Sequence, residues 1–318
     1  MYNEKQKSRF IEQSLFTQKQ ETFMIWLFNK IEKYEAAIDV DISAMQMDEL
    51  LSTINNVACM RESSNLKPIN MLRKYIDWCI RNDCPNVNAN IYKINTKLIA
   101  PAAIKGKVVS SPLHLQQCLD SMFPKEDKKT VDNTFRCACW LLYGGVLPED
   151  LEKITVFDVD LTHMVVKYNG FEVPIYREAV ASILNCINLK SFAYMHSNYP
   201  EDYMKVRIDG DGLLRGYTPF SIRNFKNRLA ACQKQCSGSS EATNVQLSAT
   251  RIWMSGLFYT TYENELLGIT PDFRNAAIIT YKNEKEDITD SEVAAALSKK
   301  RSMYLSDYKR WKEAYRCK

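Results

Sequence analysis

The stretch GGVLPEDLEKITVFDVDLTHMVVKYNGFEVPIY runs from Gly144 to Tyr176 and carries the one clear β signal of the chain. Two alternating runs flank Asn169-Gly170, a pair that tolerates the positive φ of a two-residue hairpin turn. It predicts a small antiparallel sheet of about three strands. The double glycine Gly144-Gly145 closes the helix that precedes it.

Both flanks read as helical. Upstream, KTVDNTFRCACWLLYGG forms one helix, and SSPLHLQQCLDSMF forms another with Ser111 as cap and Pro112 at the first helical position. Downstream, everything is expected to be helix. TPFSIRNFKNRLAACQKQC has Thr218 as cap, Pro219 at its first position and a stripe of Ile222, Phe225, Leu229, Cys232 and Cys236. The final helix opens on a Thr289-x-x-Glu292 capping box. Its Tyr304, Tyr308, Trp311 and Tyr315 form a packing stripe, to be buried on its own domain or on a neighbouring chain.

Residues 10–82 read as helices. In SSNLKPINMLRKYIDWCIRND a serine caps, Pro68 stands near the helix start, and Ile69, Leu72, Ile76 and Cys79 share a stripe. Residues 89–109 mix Asn, Pro, Gly and Lys without a period and are expected to be a linker. The domains expected are therefore 1–88, a helical domain, and 110–318. The fold class expected is mainly α with a small antiparallel β-sheet.

Of 318 residues, 46% are hydrophobic and 25% charged, an ordinary globular balance. No apolar run reaches membrane-spanning length, and the charged start MYNEKQKSRF lacks the apolar core of a secretion signal. A cytoplasmic location is expected. The ten cysteines are scattered without a CxxC pair and are expected to be reduced thiols; no metal and no cofactor are expected. Net charge is only +4, but Arg215 to Cys236 holds five basic residues and no acid, and Lys299 to Lys318 holds eight basic against two acidic. Such clustering fits a polyanion partner, and fits a solvated basic face equally well.

The order of elements resembles the tyrosine recombinases, the phage integrase family. That family has a helix ending in a TGLR-x-x-E-L turn before the sheet, matched here by GGVLPEDLEKITVFDVD. Its H-x-L-R motif is matched by NVQLSATR (Asn244 to Arg251), and its L-G-H turn by LLGIT (Leu266 to Thr270). AIITY ends at Tyr281, in the region of the family's nucleophilic tyrosine. The resemblance implies a helical core-binding domain and a recombinase-like domain that close around duplex DNA as a C-shaped clamp. It implies no membrane association.

The family's chemistry needs two arginines on the scissile phosphate, where the transition state gathers charge, and a lysine and histidines that move protons. In this chain the first arginine slot falls on Leu147, the two histidine slots on Ser248 and Ile269, and the second arginine slot on Arg251. Lys167 is the candidate for the hairpin lysine, and Tyr281 follows Ile269 by 12 positions. The three histidines, His114, His163 and His196, miss both slots. The site is expected to be degenerate, with Lys167, Arg251 and Tyr281 as remnants. Arg251 is a phosphate contact in this reading; pairing with a carboxylate such as Asp150 is the alternative.

The expected partner is double-stranded DNA. Arg223, Lys226, Asn227 and Arg228 are candidates for the groove, because Arg and Asn read G and A there. Arg215, Lys234, Lys167 and Arg251 are further contacts, with Arg73, Lys74 and Arg81 in the first domain. The chain is similar to the integrase-like repressors of SPβ-type prophages, which implies operator binding that maintains lysogeny. The rival readings are an active integrase and a protein-interaction module in a phage assembly or recombination complex. A homo-oligomer through the C-terminal helix is also open.

Overall fold

The computed structural model describes residues 1–58, 62–96, 98–99, 102–123, 130–196, 199–207, 210–215, 220–236, 245–281 and 289–316. The chain divides into two compact units, Met1–Ile104 and Lys105–Lys318.

The first unit is built from α1 (Glu4–Gln13), α2 (Gln18–Ile38), α3 (Met47–Val57) and α4 (Glu62–Arg81). Thr17 and Gln20 form a capping box at the start of α2, and Asp39 ends it in the left-handed region at φ 56°. Between those signals Met24, Leu27, Phe28 and Ile31 fall on one stripe, all buried. On α4 the expected stripe of Ile69, Leu72, Ile76 and Cys79 is buried against them. Phe10 meets Phe28, Tyr75 and Trp78 edge to face, Phe28 and Tyr75 do so at 5.0 Å between centroids, and Tyr75 and Trp78 are stacked.

A buried ion pair stitches α1 to α2. The Lys7 Nζ lies 2.5 Å from Glu35 Oε2, and both side chains are wholly enclosed. Burial pushes the Glu35 carboxyl above its usual range, against the pull of Lys7. The Ile42 N–H adds a hydrogen bond to Glu35, so each carboxylate oxygen has a partner.

Two expectations for this unit need correction. Pro68 lies inside α4 rather than at its start, because the helix begins at Glu62, ahead of the serines read as caps. Within residues 89–109, expected to be a linker, described residues join the first core. Asn90–Lys93 is a 3-10 turn, and Ile91, Ile94 and Ile99 enter the first core. Isolated isoleucines among polar residues show no period, yet all three join the first core, and the turn that carries Ile91 packs on α3 and α4. The short α5 (Ala102–Lys105) carries the chain to the second unit.

The second unit opens with α6 (Pro112–Met122), capped by Ser111 with Pro112 at its first position, and α7 (Thr130–Gly144). Gly145 leaves the helix at φ 126°. A 3-10 turn, Pro148–Lys153, leads to β1 (Val159–Asp160), β2 (Val165–Tyr168) and β3 (Phe171–Pro174). These form an antiparallel sheet in that order, with Lys167 opposite Glu172. Asn169 and Gly170 both take positive φ, 48° and 78°, as the hairpin required.

After α8 (Val180–Ile187) the chain departs from the expectation of helix alone. β4 (Ser191–His196) and β5 (Tyr199–Arg207) pair antiparallel as a second, two-stranded sheet. The aromatic run FAYM in β4 has strand character, and Pro200 sits at the second position of β5, where a strand tolerates it. Then follow α9 (Ile222–Cys236), α10 (Ala249–Leu266), α11 (Arg274–Ile279) and α12 (Asp290–Tyr315). Thr218 and Pro219, read as the start of α9, lie outside the described residues. Of the α9 stripe, Phe225 and Leu229 are buried while Ile222 and Cys232 are half-buried.

Helices α7 and α10 form the centre of this core. Gly256 lies so close to α7 that a Cβ built on it would meet the Tyr143 carbonyl oxygen at 1.7 Å. The Trp253 Nε1–H donates to the Gly145 carbonyl at 3.0 Å, tying α10 to the glycine turn. The α12 stripe is buried within its own unit. Tyr304 and Tyr308 pack on Phe273, and Trp311 packs on Phe258. The Trp311 Nε1–H donates to Val109, and the Tyr315 hydroxyl donates to Val108. Each large apolar side chain so buried contributes roughly 1.5–3 kcal/mol. Among the described residues no helix is long and apolar enough to cross a membrane, and no cluster of potential ligands could hold a metal ion.

Candidate nucleic-acid interface

On α9, Arg223, Lys226 and Asn227 stand at i, i+3 and i+4 and are all exposed, while Phe225 and Leu229 hold the helix to the core. Asn224 is exposed beside them and was missed. Its residue type and spacing were the available signal. Arg228 is half-buried, its guanidinium 5.0 Å from the Phe135 ring centroid. The side chain of Lys234 lies outside the described residues. At the head of α9 the Ile222 N–H donates to Glu152 Oε1 at 2.9 Å, which joins the helix start to the Pro148–Lys153 turn.

Arg215 is committed elsewhere. Its guanidinium donates to the carbonyls of Gly210, Cys186 and Ile187, at 3.1 to 3.3 Å, and so closes the C-terminal end of α8. A basic residue's carbonyl partners depend on tertiary contacts and leave no trace in local sequence.

The slots of the recombinase motifs are occupied as follows. Leu147 is 7% exposed and precedes the Pro148–Lys153 turn as part of the hydrophobic interior. Ser248 is the cap of α10, its Oγ accepting from the Arg251 N–H at 3.3 Å. Arg251 is half-buried, and its Nη1 donates to the Gln246 carbonyl at 2.6 Å. Asp150, named as a possible partner for Arg251, is engaged by Lys153 at 2.6 Å and by the Tyr168 hydroxyl. Burial would raise the Asp150 carboxyl, but those bonds outweigh it and hold it below its usual range. Ile269 is 53% exposed, just past Gly268 at φ 83°. Lys167 is exposed on β2 between the buried Val166 and Tyr168.

Tyr281 is half-buried and stands just past Thr280, the C-terminal cap of α11. The residue before it is gripped by α12. The Tyr304 hydroxyl lies 3.0 Å from Thr280 Oγ1, and Lys300 Nζ donates to the Thr280 carbonyl.

In the first unit Arg73 donates to the Ile94 carbonyl and to Asn70, and it rests over the Tyr92 ring. It therefore fixes the segment after α4. Lys74 and Arg81 are exposed on α4.

Residues 1–81 match the family model described as the MrpR N-terminal core-binding domain. Among solved structures, the chain is similar to the XerA recombinase, at 12% identity and a TM-score of 0.36, with all of both chains covered. It is also similar to the Tn1549 transposon integrase, solved with circular-intermediate DNA, at 12% identity and a TM-score of 0.36. There 92% of this chain and 97% of that chain are covered. No curated protein matches the chain. The match on residues 1–81 agrees with the helical core-binding domain expected there.

Proposed function

We propose that the chain binds specific sites on double-stranded DNA and acts there as a transcriptional repressor that maintains phage lysogeny, on a recombinase-like scaffold that no longer cuts. The observation that carries this reading is the occupancy of the motif slots. A buried leucine, a helix-capping serine and an exposed isoleucine supply neither a phosphate clamp nor a proton carrier. Binding needs no such groups. Phosphate contacts from Arg and Lys give affinity, and base edges in the groove give specificity. The exposed Arg223, Lys226 and Asn227 offer both kinds of contact from one helix. The core-binding likeness of residues 1–81 supports a DNA partner.

The test is to sequence the DNA that purified protein retains from fragmented host and prophage genome at near-physiological salt. Recovery of one motif near several promoters supports the repressor. Recovery of a single attachment-like site carrying nicks supports an active integrase. Retention of nothing specific removes the reading.

A further inference from the structure

Helix α4 ends in a left-handed cap that brings two cysteines together. Asp83 takes φ 50°, the Cys84 N–H donates to the Cys79 carbonyl at 3.0 Å, and the Asp83 N–H donates to the Ile80 carbonyl at 3.3 Å. These two bonds, with Asp83 left-handed, make a Schellman turn, in which the side chains at the first and sixth positions meet. Those positions are Cys79 and Cys84. The bond between their backbones keeps the two Cα atoms within about 7 Å, the reach of a disulfide.

The two thiols differ in access. Cys79 is wholly buried in the first core, and Cys84 is half-buried at its edge. The Gln6 Nε2 donates to the Cys79 Sγ at 3.4 Å, which fixes that sulfur from α1. Burial, and then the nearby Cys84 sulfur, push the Cys79 thiol up to about 12. Cys79 is therefore a poor starting nucleophile, and a reagent from solvent meets Cys84 first. Cys137 on α7 and Cys186 on α8 share a side-chain hydrogen bond, but both are buried, so neither offers a reagent a point of attack.

We propose that Cys79 and Cys84 are a redox pair, joined into a disulfide through exchange with a small disulfide such as oxidised glutathione. The Cys84 thiolate attacks one sulfur of the oxidant, forms a mixed disulfide and releases one glutathione thiolate. The Cys79 sulfur, held beside it, loses its proton, attacks the Cys84 sulfur and releases the second glutathione thiolate. Each released thiolate takes up the proton that one cysteine gives up. The two cysteines lose two electrons and two protons, and glutathione disulfide becomes two thiols. The new bond closes the last turn of α4 around Arg81 and Asn82, and a thiol reductant reopens it. Inside a cell such a bond is transient and follows the redox state rather than building the fold. The proposal is independent of the repressor reading.

The native full chain is incubated with oxidised glutathione, remaining thiols are blocked with N-ethylmaleimide, and tryptic peptides are mapped by mass spectrometry. Cleavage after Arg81 separates the two cysteines, so the pair is read as peptides 75–81 and 82–93 held together until a reductant is added. The parent is expected to form this linkage ahead of any other. Cys84→Ser is expected to slow the oxidation of Cys79 about tenfold or more, because the exchange loses its starting thiol. Cys79→Ser is expected to stop at a glutathione mixed disulfide on Cys84. The Cys84→Ser change falls on a half-buried side chain, and unchanged circular dichroism checks its fold. A parent that keeps both thiols free, that stops at the mixed disulfide, or that links either cysteine to a different one overturns the proposal. So does oxidation of Cys79 at the parent's rate in Cys84→Ser.

Discussion

The Ser248 Oγ accepts the Arg251 backbone N–H at 3.3 Å, so the two residues that fall in the family's H-x-L-R frame are bonded to each other as the first turn of α10. Removing the hydroxyl in Ser248→Ala leaves that donor without its cap and costs about 1 kcal/mol. For a unit of this size the expected fall in Tm is roughly 2–4 °C. Ser248→Asp keeps an acceptor and should melt close to the parent. Equal melting of all three proteins would remove the capping role.

Gly256→Ala should be among the most damaging single changes in the second unit. The new Cβ would lie 1.7 Å from the Tyr143 carbonyl oxygen, a backbone atom that cannot swing aside. Forcing α10 off α7 is expected to cost about 3 kcal/mol or more. The denaturant midpoint of the purified chain measures this, and an unchanged midpoint would contradict the helix packing described.

On α9 the exposed cations and the amide should separate in their effects on DNA. Arg223→Ala and Lys226→Ala are each expected to flatten the slope of log affinity against log salt by roughly one unit. Asn227→Ala should leave the slope alone and lower discrimination between sites by about 1–3 kcal/mol. Arg215→Ala should do neither at a given fraction folded, because its guanidinium holds the carbonyls of Gly210, Cys186 and Ile187; its effect belongs in a melting curve. Salt titrations of binding, done beside thermal melts, separate the two cation variants from Asn227→Ala and both from Arg215→Ala.

Acid should loosen the attachment of α12. Glu265 accepts from Lys312 Nζ at 2.8 Å and from the Tyr308 hydroxyl at 2.5 Å, and these bonds hold its carboxyl below the usual range. A depressed carboxyl contributes fully above its unfolded pKa and loses that contribution as pH falls through the folded value. The stability gap between the parent and Glu265→Gln should therefore be present at neutral pH and close as pH falls below the ordinary glutamate range. A gap that widens with acid would show that the ion pair has the wrong sign.

Local rules were enough for several elements. Asn169-Gly170 announced its hairpin, Ser111-Pro112 announced α6, and Thr289 with Glu292 announced α12, because each signal is complete within a few residues. The strands β4 and β5 were not read. Their aromatic and mixed runs lack clean alternation, and their pairing is settled by register between two segments. Ile91, Ile94 and Ile99 looked like linker, since burial there depends on holes left by other helices. The same limit applies to the sites. The α9 face follows from residue types at i, i+3 and i+4. The hydrogen bond from Trp78 to Gln13 joins α4 to α1 across 65 positions of sequence, and no local pattern marks that.

The central claim, specific binding without strand cleavage, is tested most directly on a duplex carrying the retained motif with a nick placed to trap a covalent intermediate. The account predicts nuclease protection of the motif and no protein–DNA adduct on a denaturing gel, for the parent and for Tyr281→Phe alike. An adduct formed by the parent and abolished by Tyr281→Phe would contradict it and make the chain an active recombinase.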